Sequence, residues 1–159
     1  MTQRRSKYLI KQISIEAIAF SFIVLFAYAA MNKSLDFKTF QIQVGQSPLL
    51  LGLQAIVPWF VIISEAGVTI MLAIARTRLL GLYGSLSLMT MFSGYIIAIL
   101  NFSDYVPCSC GGILEKLGWT EHLTFNIAFM VLAMVGIFLE TDRVIGSYHP
   151  NAYESSSPS

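Results

Sequence analysis

Four long stretches of this chain carry at most one charged residue each, and each is close to the length a helix needs to cross a lipid bilayer. They run over about residues 13–31, 51–74, 79–101 and 123–139. About 20 apolar residues, rising 1.5 Å apiece, cover the ~30 Å hydrocarbon layer. No water is present there to satisfy the backbone, so a segment of this kind must hydrogen-bond internally as a helix. With 55% hydrophobic and only 12% charged residues, the composition excludes an ordinary soluble domain. The expectation is an all-α fold, a four-helix transmembrane bundle, with the lipid bilayer as its first partner. A net charge of +1 and no aromatic-interleaved basic face set nucleic acid aside as a partner.

The charges between the runs set the orientation. Residues 1–12 hold Arg4, Arg5, Lys7 and Lys11 and no acid, which places them on the cytoplasmic side. The first run is longer than a signal-peptide core and contains Glu16, so it is expected to be retained. Arg76, Arg78 and Arg143 fall on the same inner side, and Lys33, Lys38 and Lys116 on the outer side. Seven inner cations against three outer ones put both termini inside. The resulting layout is a basic N-terminus (1–12), a membrane domain (13–139) and a polar cytoplasmic tail (140–159), whose Ser-Pro-rich end is expected to be disordered. In a bacterial inner membrane the 102–122 loop then faces the periplasm, where disulfides form and persist. Residues 33–48 combine polar positions with Leu35, Phe37, Phe40, Ile42 and Val44, as in an amphipathic segment at the outer interface; a simple connection is the plainer alternative.

Within the spans the polar residues are few. Glu65 falls near the middle of the second, where a carboxylate must face the interior and be paired or protonated. It is either a proton-relay or substrate-facing acid, or a neutral group hydrogen-bonded to Ser64, Thr69 or a neighbouring hydroxyl. Glu16, one turn inside the first span, is expected to snorkel or pair with a lysine rather than act within the membrane. Asn126, one turn into the fourth, reads as a hydrogen-bonding tie between helices on the outer side. Pro58 would kink the second helix unless the helix begins near it. Gly81, Gly84, Ser85, Ser87, Ser93 and Gly94 mark the third helix as one that others approach closely.

Both cysteines of the chain, Cys108 and Cys110, lie in the outer loop. A bridge between thiols one residue apart demands a sharp turn and is easily reduced, which suits exchange better than bracing. Closing so short a loop stabilises a fold little. Pro107 fixes φ before the pair, and Gly111 and Gly112 permit positive φ after it. Asp104 and His122 are candidate proton or thiolate partners, each with the alternative of an ordinary exposed loop residue. A metal site is the rival reading, but Cys-x-Cys with His122 does not match zinc-knuckle spacing, and Met89, Met91 and Met130 are more simply packing residues. A structural clip also stays open.

The stretch from Tyr28 to Phe40, the Gln46-Ser-Pro48 turn, Glu65, Pro107-Cys-Ser-Cys-Gly-Gly112 and Phe125-Asn126 together resemble the methylamine-utilisation MauE family and the wider DoxX-like group of four-helix membrane proteins, over about residues 13–139. Ser109 and Gly111 are where the chain departs from that family's usual motif. The resemblance implies a role in disulfide formation or electron transfer for exported proteins. Three functions follow as expectations. The first is a thiol-disulfide oxidoreductase component acting through Cys108 and Cys110, with an exported client or a periplasmic thioredoxin-like protein as partner; a membrane quinone is a candidate acceptor, although no quinone-binding signature is present. The second is a non-catalytic subunit of a larger export or receptor assembly. The third is a small-molecule or metal transporter using Glu65.

Overall fold

The computed structural model describes residues 2–47, 50, 52–102 and 118–148, which form five helices and no strand. These are α1 (Thr2–Leu35), α2 (Phe37–Gln46), α3 (Val57–Ala73), α4 (Arg78–Phe102) and α5 (Trp119–Tyr148). Three of them contain segments long and apolar enough to cross a membrane: Leu9–Leu35, Arg78–Asn101 and Thr120–Ile145. The shorter α3 is equally apolar along its length. The basic N-terminal residues and part of the polar tail continue α1 and α5 as helix beyond the apolar runs.

Each of α1, α3, α4 and α5 packs on two of the others in the order α1–α3–α4–α5–α1, so the four close into a ring. Its centre is filled by Ile18, Phe22, Phe26, Val68, Leu72, Leu82 and Ala133. Phe22 stacks on Phe26 at 6.0 Å and meets Phe129 edge-on at 5.3 Å, joining α1 to α5. The outside of the ring is as apolar as its centre. Phe20 on α1, Ile63 on α3 and Phe138 on α5 are 66%, 64% and 71% exposed, an outward surface suited to lipid and not to water.

The α3 helix begins where the sequence allows it to. Pro58 occupies its first turn, where a missing N–H costs no intrahelical bond. Residues 52–56 reach it through tight turns in which Gly52 adopts φ +84, a conformation open to glycine. At the other joint, α1 passes almost directly into α2. The Asp36 N–H still bonds the Asn32 carbonyl at 3.1 Å, and the chain bends only at Asp36 itself. The bend lays α2 on α3, where Phe40 and Val44 bury against Val61 and Phe37 meets Trp59 at 4.7 Å. The amphipathic pattern of residues 33–48 thus becomes a short helix packed over one end of the ring.

Small residues on α4 bring it against α3. A Cβ on Gly81 would stand 2.9 Å from the backbone nitrogen of Leu72, and one on Gly84 would stand 2.9 Å from Val68, whereas Gly94 has nothing within 4 Å. Ser85 turns its hydroxyl back to the Gly81 carbonyl at 2.8 Å and is buried without a partner on another helix. Gly81→Ala is expected to destabilise the protein by roughly 1–3 kcal/mol, the usual cost of overpacking a tight contact. Gly94→Ala is expected to be neutral or to stabilise by up to ~1 kcal/mol through helix propensity. Thermal unfolding of both variants in one detergent reads the contrast, and equal effects would contradict the α3–α4 contact.

Candidate functional site

A buried ion pair joins α1 to α3 near the end of the ring that α2 covers. Lys33 Nζ donates to Glu65 Oε1 at 2.7 Å, with the side chains 11% and 1% exposed. Glu65 occupies the midpoint of α3, ~12 Å from either end at 1.5 Å per residue. Lys33 lies in the last turn of α1, inside the helix and not in the loop that its charge suggested. Its ammonium has Phe40 of α2 at 5.8 Å and Phe92 of α4 at 5.9 Å, measured to the ring centroids, so two aromatic faces supply part of the solvation that water would give. Four helices therefore converge on one cation.

Glu65 faces the interior and is paired with a lysine. Thr69 donates to the Glu65 backbone carbonyl at 2.8 Å and not to the carboxylate, so no neighbouring hydroxyl neutralises the acid; a lysine does. Oε2 of Glu65 has no hydrogen-bond partner among the described residues, and only one of the three donors of Lys33 is used on Glu65. The site thus offers both a donor and an acceptor within a low-dielectric surround, where each is worth more than in water.

His122, in the first turn of α5, is half-buried, and its backbone N–H bonds the Gly118 carbonyl at 3.0 Å. Asn126, one turn further along α5, is buried, and its Nδ2 has no acceptor among the described residues. Glu16 lies near the middle of α1, ~25 Å along the helix from Lys33 at 1.5 Å per residue, and is exposed, accepting from Gln12 at 3.3 Å. Among the described residues its carboxylate has no lysine partner, and Lys11 meets Asp142 at 3.3 Å. That contact ties the start of α1 to the end of α5, so the two helices run antiparallel, with Lys33 and His122 at one end. Cys108, Cys110, Asp104, Pro107, Gly111 and Gly112 lie outside the described residues, in the stretch joining Phe102 of α4 to Gly118 before α5. Of the methionines weighed as soft ligands, Met89 is buried in the apolar core, Met91 faces outward, and Met130 accepts from Ser93 Oγ at 3.7 Å.

Sequence reasoning found Glu65 but missed Lys33. The available signal was charge balance, since a buried carboxylate calls for a cation and Lys33 ends an otherwise uncharged half-span. Removing one partner from a buried pair strands the other charge. Lys33→Met is accordingly expected to cost about 3–5 kcal/mol, and the double variant Lys33→Met/Glu65→Leu to recover most of that loss. A double-mutant cycle on unfolding in detergent measures both values; a cost below about 1 kcal/mol for Lys33→Met would mean that the pair is solvated, as exposed pairs are.

The family model for the Methylamine utilisation protein MauE matches residues 11–139, from the Lys11 contact to the last apolar turn of α5. No curated protein and no solved structure matches the chain. The matched region takes in most of the helix ring, the Lys33–Glu65 pair and the cysteine stretch, and on that extent the chain belongs to the MauE family of membrane proteins.

Proposed function

We propose that the protein is an integral membrane thiol-disulfide component that acts on exported proteins through Cys108 and Cys110. In this reading α1, α3, α4 and α5 form a four-helix transmembrane bundle, and α3 at 17 residues is just long enough to span. Both termini are cytoplasmic, with residues 1–12 and the 140–159 tail on that side of a bacterial inner membrane. The cysteine stretch is periplasmic.

One observation carries the reading. The stretch that holds both cysteines leaves α4 at Phe102 and returns at Gly118, one turn before His122, on the side of the ring toward which α1 ends and where Lys33 pairs with a Glu65 that keeps an open oxygen. Thiol exchange needs a thiolate and a route for its protons. In the proposed cycle a client thiolate attacks the Cys108–Cys110 disulfide and one cysteine leaves as thiolate. The client's second thiolate then displaces the mixed disulfide, so the client gains a disulfide and the pair holds two electrons and two protons. A membrane quinone or a disulfide of a periplasmic thioredoxin-like protein takes up both electrons and both protons and restores the bridge. His122 and Asp104 are the candidate proton partners, and Pro107, Gly111 and Gly112 shape the turn.

Cys108→Ser and Cys110→Ser test this separately. One of the two single variants is expected to accumulate a reducible mixed disulfide with an exported protein, and the double variant none. Membrane-impermeant maleimide added to intact spheroplasts is expected to label the reduced pair. Failure of either variant to trap a partner, with function surviving the double substitution, would favour a non-catalytic subunit of an export or receptor assembly. Loss of activity in Glu65→Gln while both cysteines are dispensable would favour transport.

A further inference from the structure

At the end of the ring away from Lys33, a groove of about 500 Å³ runs between α1 and α3 up to the start of α4. Its floor and walls are apolar, with Phe20 and Ile23 on one side and Leu72 and Ala73 on the other, and it carries two opposite charges, Glu16 and Arg78. Leu72 and Ile23 turn part of their surface to the core as well, but neither charge takes part in the core or in the proposed redox chemistry.

The two charges share the groove without pairing. The described ion pairs are Lys11–Asp142, Lys33–Glu65 and Arg143–Glu140, while Glu16 accepts only from the neutral Gln12 amide. Arg78 Nε is sequestered and has no acceptor among the described residues. An unpaired guanidinium beside an unpaired carboxylate is an arrangement that a zwitterion completes. Phe20 is 66% exposed and Ile13 at the rim 64%, so the groove opens on the face of the ring that meets lipid. From Glu16 to Ile23 α1 rises ~10 Å toward the membrane interior, enough to seat the first part of an acyl chain below a head group held at the charged end.

We propose that this groove binds an ethanolamine phospholipid, with Arg78 holding the phosphate, Glu16 the primary ammonium, and Phe20, Ile23, Leu72 and Ala73 the upper acyl chain. A purely anionic head would leave Glu16 facing a like charge. A choline head has no N–H to donate to the carboxylate. The ethanolamine head satisfies both residues with charge-assisted hydrogen bonds. The inference needs the helix ring to lie in a bilayer and does not depend on the cysteine pair.

Native mass spectrometry of the full chain with ethanolamine, choline and glycerol phospholipids of identical acyl chains tests the assignment. The ethanolamine lipid is expected to be retained about two- to fivefold over the choline lipid, the scale of one exposed charge pair. Stepwise N-methylation of the head group is expected to lower retention in graded fashion. Glu16→Gln, at an exposed position, is expected to bring the ethanolamine lipid down to the choline level, and Arg78→Gln to weaken both. If Arg78→Gln fails to fold, the methylation series on the unaltered protein carries the test by itself. Equal retention of all three lipids, stronger retention of the glycerol lipid, or an ethanolamine preference that survives Glu16→Gln would overturn the proposal.

Discussion

The contact between Lys33 and Glu65 is the constraint to which the rest of the helix ring is fitted. Charged groups taken out of water are tolerable only when each answers the other and the remaining solvation is replaced locally. Here the replacement comes from four helices. Glu65 sits at the midpoint of α3, Lys33 reaches it from the last turn of α1, and Phe40 of α2 and Phe92 of α4 cover the ammonium. The position of α2 follows from this. A helix break at Asp36 turns the chain back over the pair, so that Phe40 shields the lysine and Val44 packs on Val61. Without the ion pair, the amphipathic segment after α1 would have no buried polar group to close over.

The remaining packing is governed by an inversion that lipid permits. In water the burial of apolar surface would gather the ring; in a bilayer the surroundings are as apolar as the core, and close fit decides instead. The tight approach of Gly81 and Gly84 to Leu72 and Val68, and the stacked ring set Phe22, Phe26 and Phe129, are contacts of that type. The large exposed side chains Phe20, Ile63 and Phe138 are then not liabilities but the surface that the solvent of this protein requires.

Much of this was legible in the sequence, and the reasons divide cleanly. Helix identity came from the length of the uncharged runs, because backbone satisfaction leaves an apolar segment little else to form. The start of α3 was readable from Pro58, whose ring tolerates only a first turn. That Glu65 must be answered by something was also readable, since its apolar neighbours leave it no water. The answering residue was not, because Lys33 is 32 positions away and which turn of α1 faces Glu65 depends on an interhelical register that no local pattern encodes. The same limit applies to the small residues of α4. Gly81 and Gly94 look alike in sequence, yet one is in close contact and the other faces open space. Cys108 and Cys110 lie outside the described residues, so their part rests on thiol chemistry and on where their tethers are fixed.

The two ends of the ring treat charge differently, and the difference bears on where chemistry can occur. At the end where α1 begins, Lys11 meets a half-exposed Asp142, and Glu140, though buried, is answered by an Arg143 that reaches outward. Water remains available to one partner of each pair, and such contacts can form and break at little cost. At the other end both members of the Lys33–Glu65 pair are sequestered. A charge arriving beside that pair meets fixed charges that water screens little, so a change of one unit is felt by its neighbours. The chain that connects α4 to α5, with the only two thiols in the sequence, is anchored at this second end. The proposed exchange at the cysteine pair would therefore take place on the less hydrated side of the ring.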